Sequence, residues 1–166
     1  MKDEQFMKEP NSTGSSKTGT FSFIAKVKPG RGKDIRRIAA ERDKISWEDT
    51  DKLLRPLTLH YARWSLFDND TRFIYTAIFD TPLDKYLDDA ATIFAQSGEA
   101  GFFPHLESFP DDQAAMRNPQ AFRKFFAETG VDSFYQFAGY PGASVEEVKK
   151  ALKVRNAFSN MLDEMQ

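Results

Sequence analysis

The chain has 166 residues, 40% hydrophobic and 14% aromatic, enough to bury one core and short for two. Its 23 basic and 25 acidic residues are interspersed and leave a net charge of -2, so the sequence carries no electrostatic footprint for nucleic acid or an anionic membrane. There is no cysteine, which excludes disulfides, cysteine-ligated metal and thiol nucleophiles.

The opening MKDEQFMKEP has acidic residues and no apolar stretch of the secretory kind. No apolar run approaches the ~20 residues of a membrane span, and a cytoplasmic protein is the expectation. Residues 1–19 end in a polar, Gly/Ser-rich stretch that reads as a flexible arm before a single domain, 20–166.

Residues 20–27 alternate, with Phe21, Phe23, Ala25 and Val27 on one side, as a half-buried strand requires. Lys28-Pro29-Gly30 stops it, and residues 33–44 place Ile35, Ile38 and Ala39 at helical spacing. A short helix capped by Ser46 and ended by Pro56 follows. Residues 57–67 and 72–79, rich in aromatic and β-branched side chains around Asp68-Asn69-Asp70-Thr71, read as a hairpin. Thr81 then caps a helix with Pro82 at its first position and an apolar stripe through Leu83, Tyr86, Leu87 and Ala90, before Gly98. Residues 102–109 read as a fourth strand bounded by Pro110. The pattern is β-α-β-β-α-β, a ferredoxin-like α+β antiparallel sheet with its helices on one face, covering residues 20–110.

Residues 111–166 extend this core with helices. Asn118-Pro119 opens a short helix closed by Gly130, residues 133–137 suggest a further strand, and Ser144 with Glu147 forms a capping box. Val148, Ala151, Leu152, Phe158 and Leu162 predict a buried stripe along the last helix.

The segment IAKVKPGRGKDIRRIAAE runs from a strand through Val-x-Pro-Gly directly into an amphipathic helix, and Phe79-Asp80-Thr81 forms a second helix entry. Over residues 20–110 these features resemble the dimeric α+β barrel superfamily, which includes small antibiotic-biosynthesis-type monooxygenases and haem-binding relatives. The resemblance implies a homodimer of sheets packed face to face, with a ligand cavity between each sheet and its helices. It speaks to architecture rather than activity.

Candidate chemistry is sparse. The two histidines, His60 and His105, are the side chains that ordinarily transfer protons near neutrality. On the expected fourth strand His105 shares a face with Glu107, whose carboxylate two residues away would orient its ring, making this the candidate acid-base pair. The alternative is a strand-end histidine bonded to backbone or water. His60 falls on the side of Ala62, Trp64 and Leu66 and reads as a satisfied strand histidine. Tyr61 and Arg63 share the opposite side, and Tyr75 on the partner strand is expected beside them, a cluster whose guanidinium fork would bind a carboxylate or phenolate. The bland counterpart is a solvent-facing side with Arg63 paired to an acidic neighbour.

Residues 29–34 fail the P-loop pattern, since Val27 stands where the first glycine belongs and Asp34 where Ser or Thr would be. No metal-ligand spacing exists and no cofactor is predicted, although a haem needs only one axial histidine, for which His105 is the first candidate. Most of the phenylalanines read as core and interface. Three functional readings remain open: an enzyme, monooxygenase-like, acting on an apolar or aromatic carbonyl, phenol or quinone-like molecule; a non-catalytic ligand-binding or protein-interaction module; and a haem protein.

Overall fold

The alternation read in residues 20–27 becomes β1 (Gly19–Lys26), with Phe21, Phe23 and Ala25 buried on one side. The computed structural model describes residues 18–97 and 101–165, so most of the expected arm, and Gly98, lie outside the described residues. Next come α1 (Gly32–Arg42), α2 (Trp47–Leu54), a 3-10 turn (Arg55–Leu57) and the hairpin β2 (Leu59–Phe67) and β3 (Arg72–Phe79). The chain continues through α3 (Leu83–Ser97), α4 (Pro119–Thr129), β4 (Gly130–Val131) and α5 (Val145–Glu164). The four strands form one antiparallel sheet in the order β2-β3-β1-β4.

Local chemistry accounts for most boundaries. Ser46 Oγ accepts the Asp49 backbone N–H at 3.1 Å and starts α2. Asn118 Oδ1 accepts from Gln120 N at 3.0 Å to start α4, and Ser144 with Glu147 completes a capping box on α5. In the hairpin turn Asp68, Asn69 and Asp70 all have positive φ (53°, 53° and 63°), a conformation short polar side chains tolerate. Asp70 also reaches α1, accepting Arg36 Nε at 2.6 Å. Gly32 is needed there because a Cβ would sit 2.5 Å from the Asp70 Cβ. The loop that fails the P-loop pattern is, at Gly32, packed against a carboxylate-bearing turn.

The core is largely phenylalanine. The Phe103 ring lies 5.0 Å from Phe122 and 5.3 Å from Phe94, and Phe23 meets Phe125 edge-on at 5.2 Å. α3 and α4 cover the Phe21–Phe23–Phe73–Phe79 side of the sheet.

Four expectations need correction. Residues 102–109 are not a strand: a 3-10 turn (Phe103–His105) is followed by a single bridge, Val27 to Leu106. The buried residues there are Phe102, Phe103, Leu106 and Phe109, a spacing of about three rather than two, and Pro104 lacks the N–H a ladder needs. This segment is strapped to the end of β1 by Lys28, whose Nζ donates to Pro104 O at 2.8 Å and to Asp111 Oδ1 at 2.5 Å. The fourth strand is instead Gly130–Val131, and residues 133–137 form no strand. Thr81 does not cap α3, because its buried Oγ1 has no hydrogen-bond partner among the described residues. Finally, α5 has no buried stripe: Val145 alone is buried, and Phe158 is 57% exposed. Among the described residues no helix is long and apolar enough to cross a membrane.

Candidate functional site

Because β2 is an edge strand, its inner face is incompletely covered. Ala62 and Trp64 pair with Ala77 and Tyr75 of β3 and so turn toward the helices, yet α1 buries only Gly32 and Ile35 and α2 buries nothing. Between them lies a groove of about 1310 Å³, walled by Ile38, Trp64, Phe73, Phe94 and Phe102. It wraps around the start of β2 to reach Tyr61, residues 136–140 and the first turns of α5. Both tryptophans of the chain, Trp47 and Trp64, border it.

The sequence-predicted residues distribute unevenly around this groove. His105 sits in the 3-10 turn, not on a strand, so the face it was expected to share with exposed Glu107 does not exist. Neither residue borders the groove. Burial pushes the His105 pKa down; nearby Asp34 opposes this and Arg31, Lys28 and Arg37 add to it. Tyr61 borders the groove, whereas Arg63 does not and has no acidic partner among the described residues. Tyr75 is on the opposite face of the sheet from both, since it pairs with Trp64, with ring centroids 5.2 Å apart. Its hydroxyl meets that of Tyr86 at 2.6 Å inside the core, and burial raises its pKa to about 12. The expected Tyr61–Arg63–Tyr75 cluster is thus split across the sheet.

The polar constellation on the groove is one the sequence reading missed. A register shift between Leu59 and Tyr61 leaves His60 unpaired in the ladder, and its Nε2 lies 2.5 Å from Asp80 Oδ1. The other oxygen of Asp80 accepts the Val145 backbone N–H at 2.7 Å, at the start of α5. Both side chains are largely sheltered, 17% and 16% exposed. With Nε2–H donated to the carboxylate, Nδ1 is the acceptor nitrogen, and it makes no hydrogen bond among the described residues. A carboxylate-oriented imidazole on an apolar groove is a general-base arrangement.

Nearby charges are already engaged. Asp51, also on the groove, accepts Lys149 Nζ at 2.6 Å and Arg55 at 2.8 Å, and these bonds hold its carboxyl below the usual range. No group of three or more His, Asp or Glu that could hold a metal occurs among the described residues. A haem lodged in the groove would not meet His105, its expected axial ligand. No family model matches the chain, and no curated protein matches its sequence.

Proposed function

We propose that the chain binds a small apolar or aromatic molecule in the groove beside β2, and that His60, oriented by Asp80, acts on it as a general base. The observation that carries this reading is the coincidence of one oriented imidazole with an otherwise mainly apolar lining, the usual composition of ligand sites. An acceptor Nδ1 suits removal of a proton from a phenol or quinol hydroxyl, with the proton passing to the imidazole. The same reading takes the architecture as ferredoxin-like, of the dimeric α+β barrel kind. Its support is the strand order β2-β3-β1-β4, with β4 supplied by Gly130–Val131, and helices α3 and α4 on one face. A homodimer through the other face of the sheet, where Ile24, Ile74 and Ile78 are only half-buried, belongs to the same proposal.

The test uses 2-naphthol, an aromatic phenol whose anion absorbs differently from the neutral form. Because both tryptophans border the groove, their fluorescence should change saturably on titration. Ala62→Phe, which fills the inner wall, should weaken binding at least about tenfold, or ~1.4 kcal/mol. His60→Asn should retain binding and lose the bound naphtholate signal. Linear, non-saturable quenching would remove the groove as a ligand site. Saturable binding with no naphtholate in the native protein would leave a carrier, the non-catalytic alternative.

A further inference from the structure

Thr58, one residue before β2, has φ 45° and ψ 47°, in the left-handed region. The other non-glycine residues with positive φ among those described are Asp68, Asn69, Asp70 and Ser108. Those four are short and polar, whereas Thr58 is β-branched, and for a β-branched residue this conformation is a genuine outlier. The chain has to turn there within one residue. Leu57 is buried at the end of the 3-10 turn, and Leu59 already pairs with Phe79 in the sheet. Glycine or asparagine would make that turn with less strain. What glycine cannot supply is the hydroxyl.

That hydroxyl has a partner. Thr58 Oγ1 accepts the Asp80 backbone N–H at 3.3 Å, and Thr58 O accepts the same N–H at 3.3 Å. Asp80 is the residue whose carboxylate lies between His60 Nε2 and the Val145 N–H. Thr58 and His60, two residues apart, therefore hold Asp80 at its backbone and at its side chain, across the register shift that takes His60 out of the ladder. An N–H shared between two oxygens is a long bond to each, so loss of one acceptor loosens the Asp80 backbone and the carboxylate with it. Thr58 also borders the groove. Strained residues persist where their surroundings over-determine them, and they concentrate at working sites.

We propose that Thr58 is a positioning residue for the His60–Asp80 pair: its hydroxyl fixes the Asp80 backbone, and through it the direction in which His60 presents Nδ1 to the groove. This role rests on the reading of His60 as a base, and it is tested first without any ligand. In the free protein the His60 Nε2 proton, held by a sheltered carboxylate, should give a slowly exchanging downfield resonance, assigned by its loss in His60→Asn. Thr58→Gly relieves the backbone strain and should stay folded, yet this proton should exchange up to about tenfold faster. Thr58→Val keeps the shape and loses only the hydroxyl, and should do the same. Thr58→Ser restores the oxygen without the methyl and should return the native rate. With 2-naphthol, the Gly and Val variants should still bind and should lose most of the naphtholate signal that Ser retains. Unchanged exchange in Thr58→Gly or in folded Thr58→Val overturns the proposal even if the native chain forms naphtholate. So does a native chain with no such resonance, or fast exchange in Thr58→Ser, which would put the role in methyl packing. A native chain that forms no naphtholate, but whose resonance depends on the Thr58 hydroxyl, removes the base reading and leaves Thr58 as the residue that orients the ring.

Discussion

His60 and Asp80, twenty residues apart in sequence, meet side chain to side chain at 2.5 Å, and the same carboxylate holds the first backbone N–H of α5 at 2.7 Å. One residue therefore orients the only histidine on the groove and anchors the helix that flanks it. The site and the C-terminal extension are mechanically connected through Asp80.

Replacing Asp80 separates the two roles. Asp80→Ala removes both bonds and should cost about 1–3 kcal/mol of stability in urea unfolding, the penalty of leaving buried or half-buried partners unpaired. Its signature is faster amide exchange in the first turn of α5. Asp80→Asn keeps an oxygen for the Val145 N–H, so it should protect α5 while lowering naphtholate formation by His60. Equal exchange rates in Asp80→Ala and the native chain would show that the Val145 bond does not anchor the helix.

How legible this was in the sequence depends on the kind of signal. Period-two burial in β1, the Ser46, Asn118 and Ser144 caps, and the Asp/Asn turn of the hairpin are local and were readable. The His60–Asp80 pair is non-local but follows from register: counting back from the turn puts His60 opposite Phe79, one position from Asp80. What could not be counted was the irregularity at His60 that turns its ring there. Residues 102–109 have the aromatic content of a strand, but Pro104 and a burial period of about three argue against one. Val148, Ala151, Leu152, Phe158 and Leu162 do share one arc of α5, but of the described residues of the helix only Val145 is buried. An amphipathic pattern reports that something covers a face, not whether the same chain does.

Acid should destabilise the protein in two stages. Burial holds the His105 pKa below its ordinary 6.5, so between those values the unfolded chain binds more protons than the folded one. Stability is thus lost as pH falls through 6.5 and levels off once the folded ring is protonated. His105→Gln should flatten this first stage in a series of urea titrations. Asp51, Asp34, Asp70 and Asp111 are each held below 3.8 by hydrogen-bonded cations, so their contribution is present above 3.8 and is lost as pH falls through their folded values. Asp111 is exposed and salt-screened whereas Asp34 and Asp51 are only 16% and 15% exposed, so added salt should shrink the Asp111 contribution more than theirs. A stability curve that is flat from neutrality to 3.8 would contradict the assignment to His105.

Gly32 and Asp70 define a steric limit at the tip of the hairpin. Gly32→Ala places a Cβ 2.5 Å from the Asp70 Cβ and 2.9 Å from the Asp70 carbonyl oxygen, so the turn or α1 must shift, at a cost of about 1–3 kcal/mol. Asp70→Gly removes the closer contact and suits the local φ of 63°, while giving up an ion pair whose Arg36 partner is mostly exposed. The double variant should therefore be more stable than the sum of the two single losses predicts. Strict additivity in thermal unfolding would mean the two residues do not compete for the same space.

Tyr75 and Tyr86 make the sharpest contrast between single and double substitution. Their hydroxyls are 2.6 Å apart in the core, with Phe79 stacked on Tyr86 at 3.8 Å, so each is the other's partner. Tyr75→Phe leaves the Tyr86 hydroxyl buried without that bond and should cost about 1–3 kcal/mol, with Tyr86→Phe costing a similar amount. Replacing both by Phe removes donor and acceptor together at nearly constant shape and should recover most of the loss, giving a positive coupling in a double-mutant cycle. Alkaline behaviour supplies a second readout. Burial raises Tyr75 from 10.0 to about 12 and Tyr86 well above 10.0, so the folded state binds more protons than the unfolded one in this range. Stability should fall as pH rises past 10.0, and less steeply in the double Phe variant. An additive cycle with an unchanged alkaline slope would place the two phenols in contact with water rather than with each other.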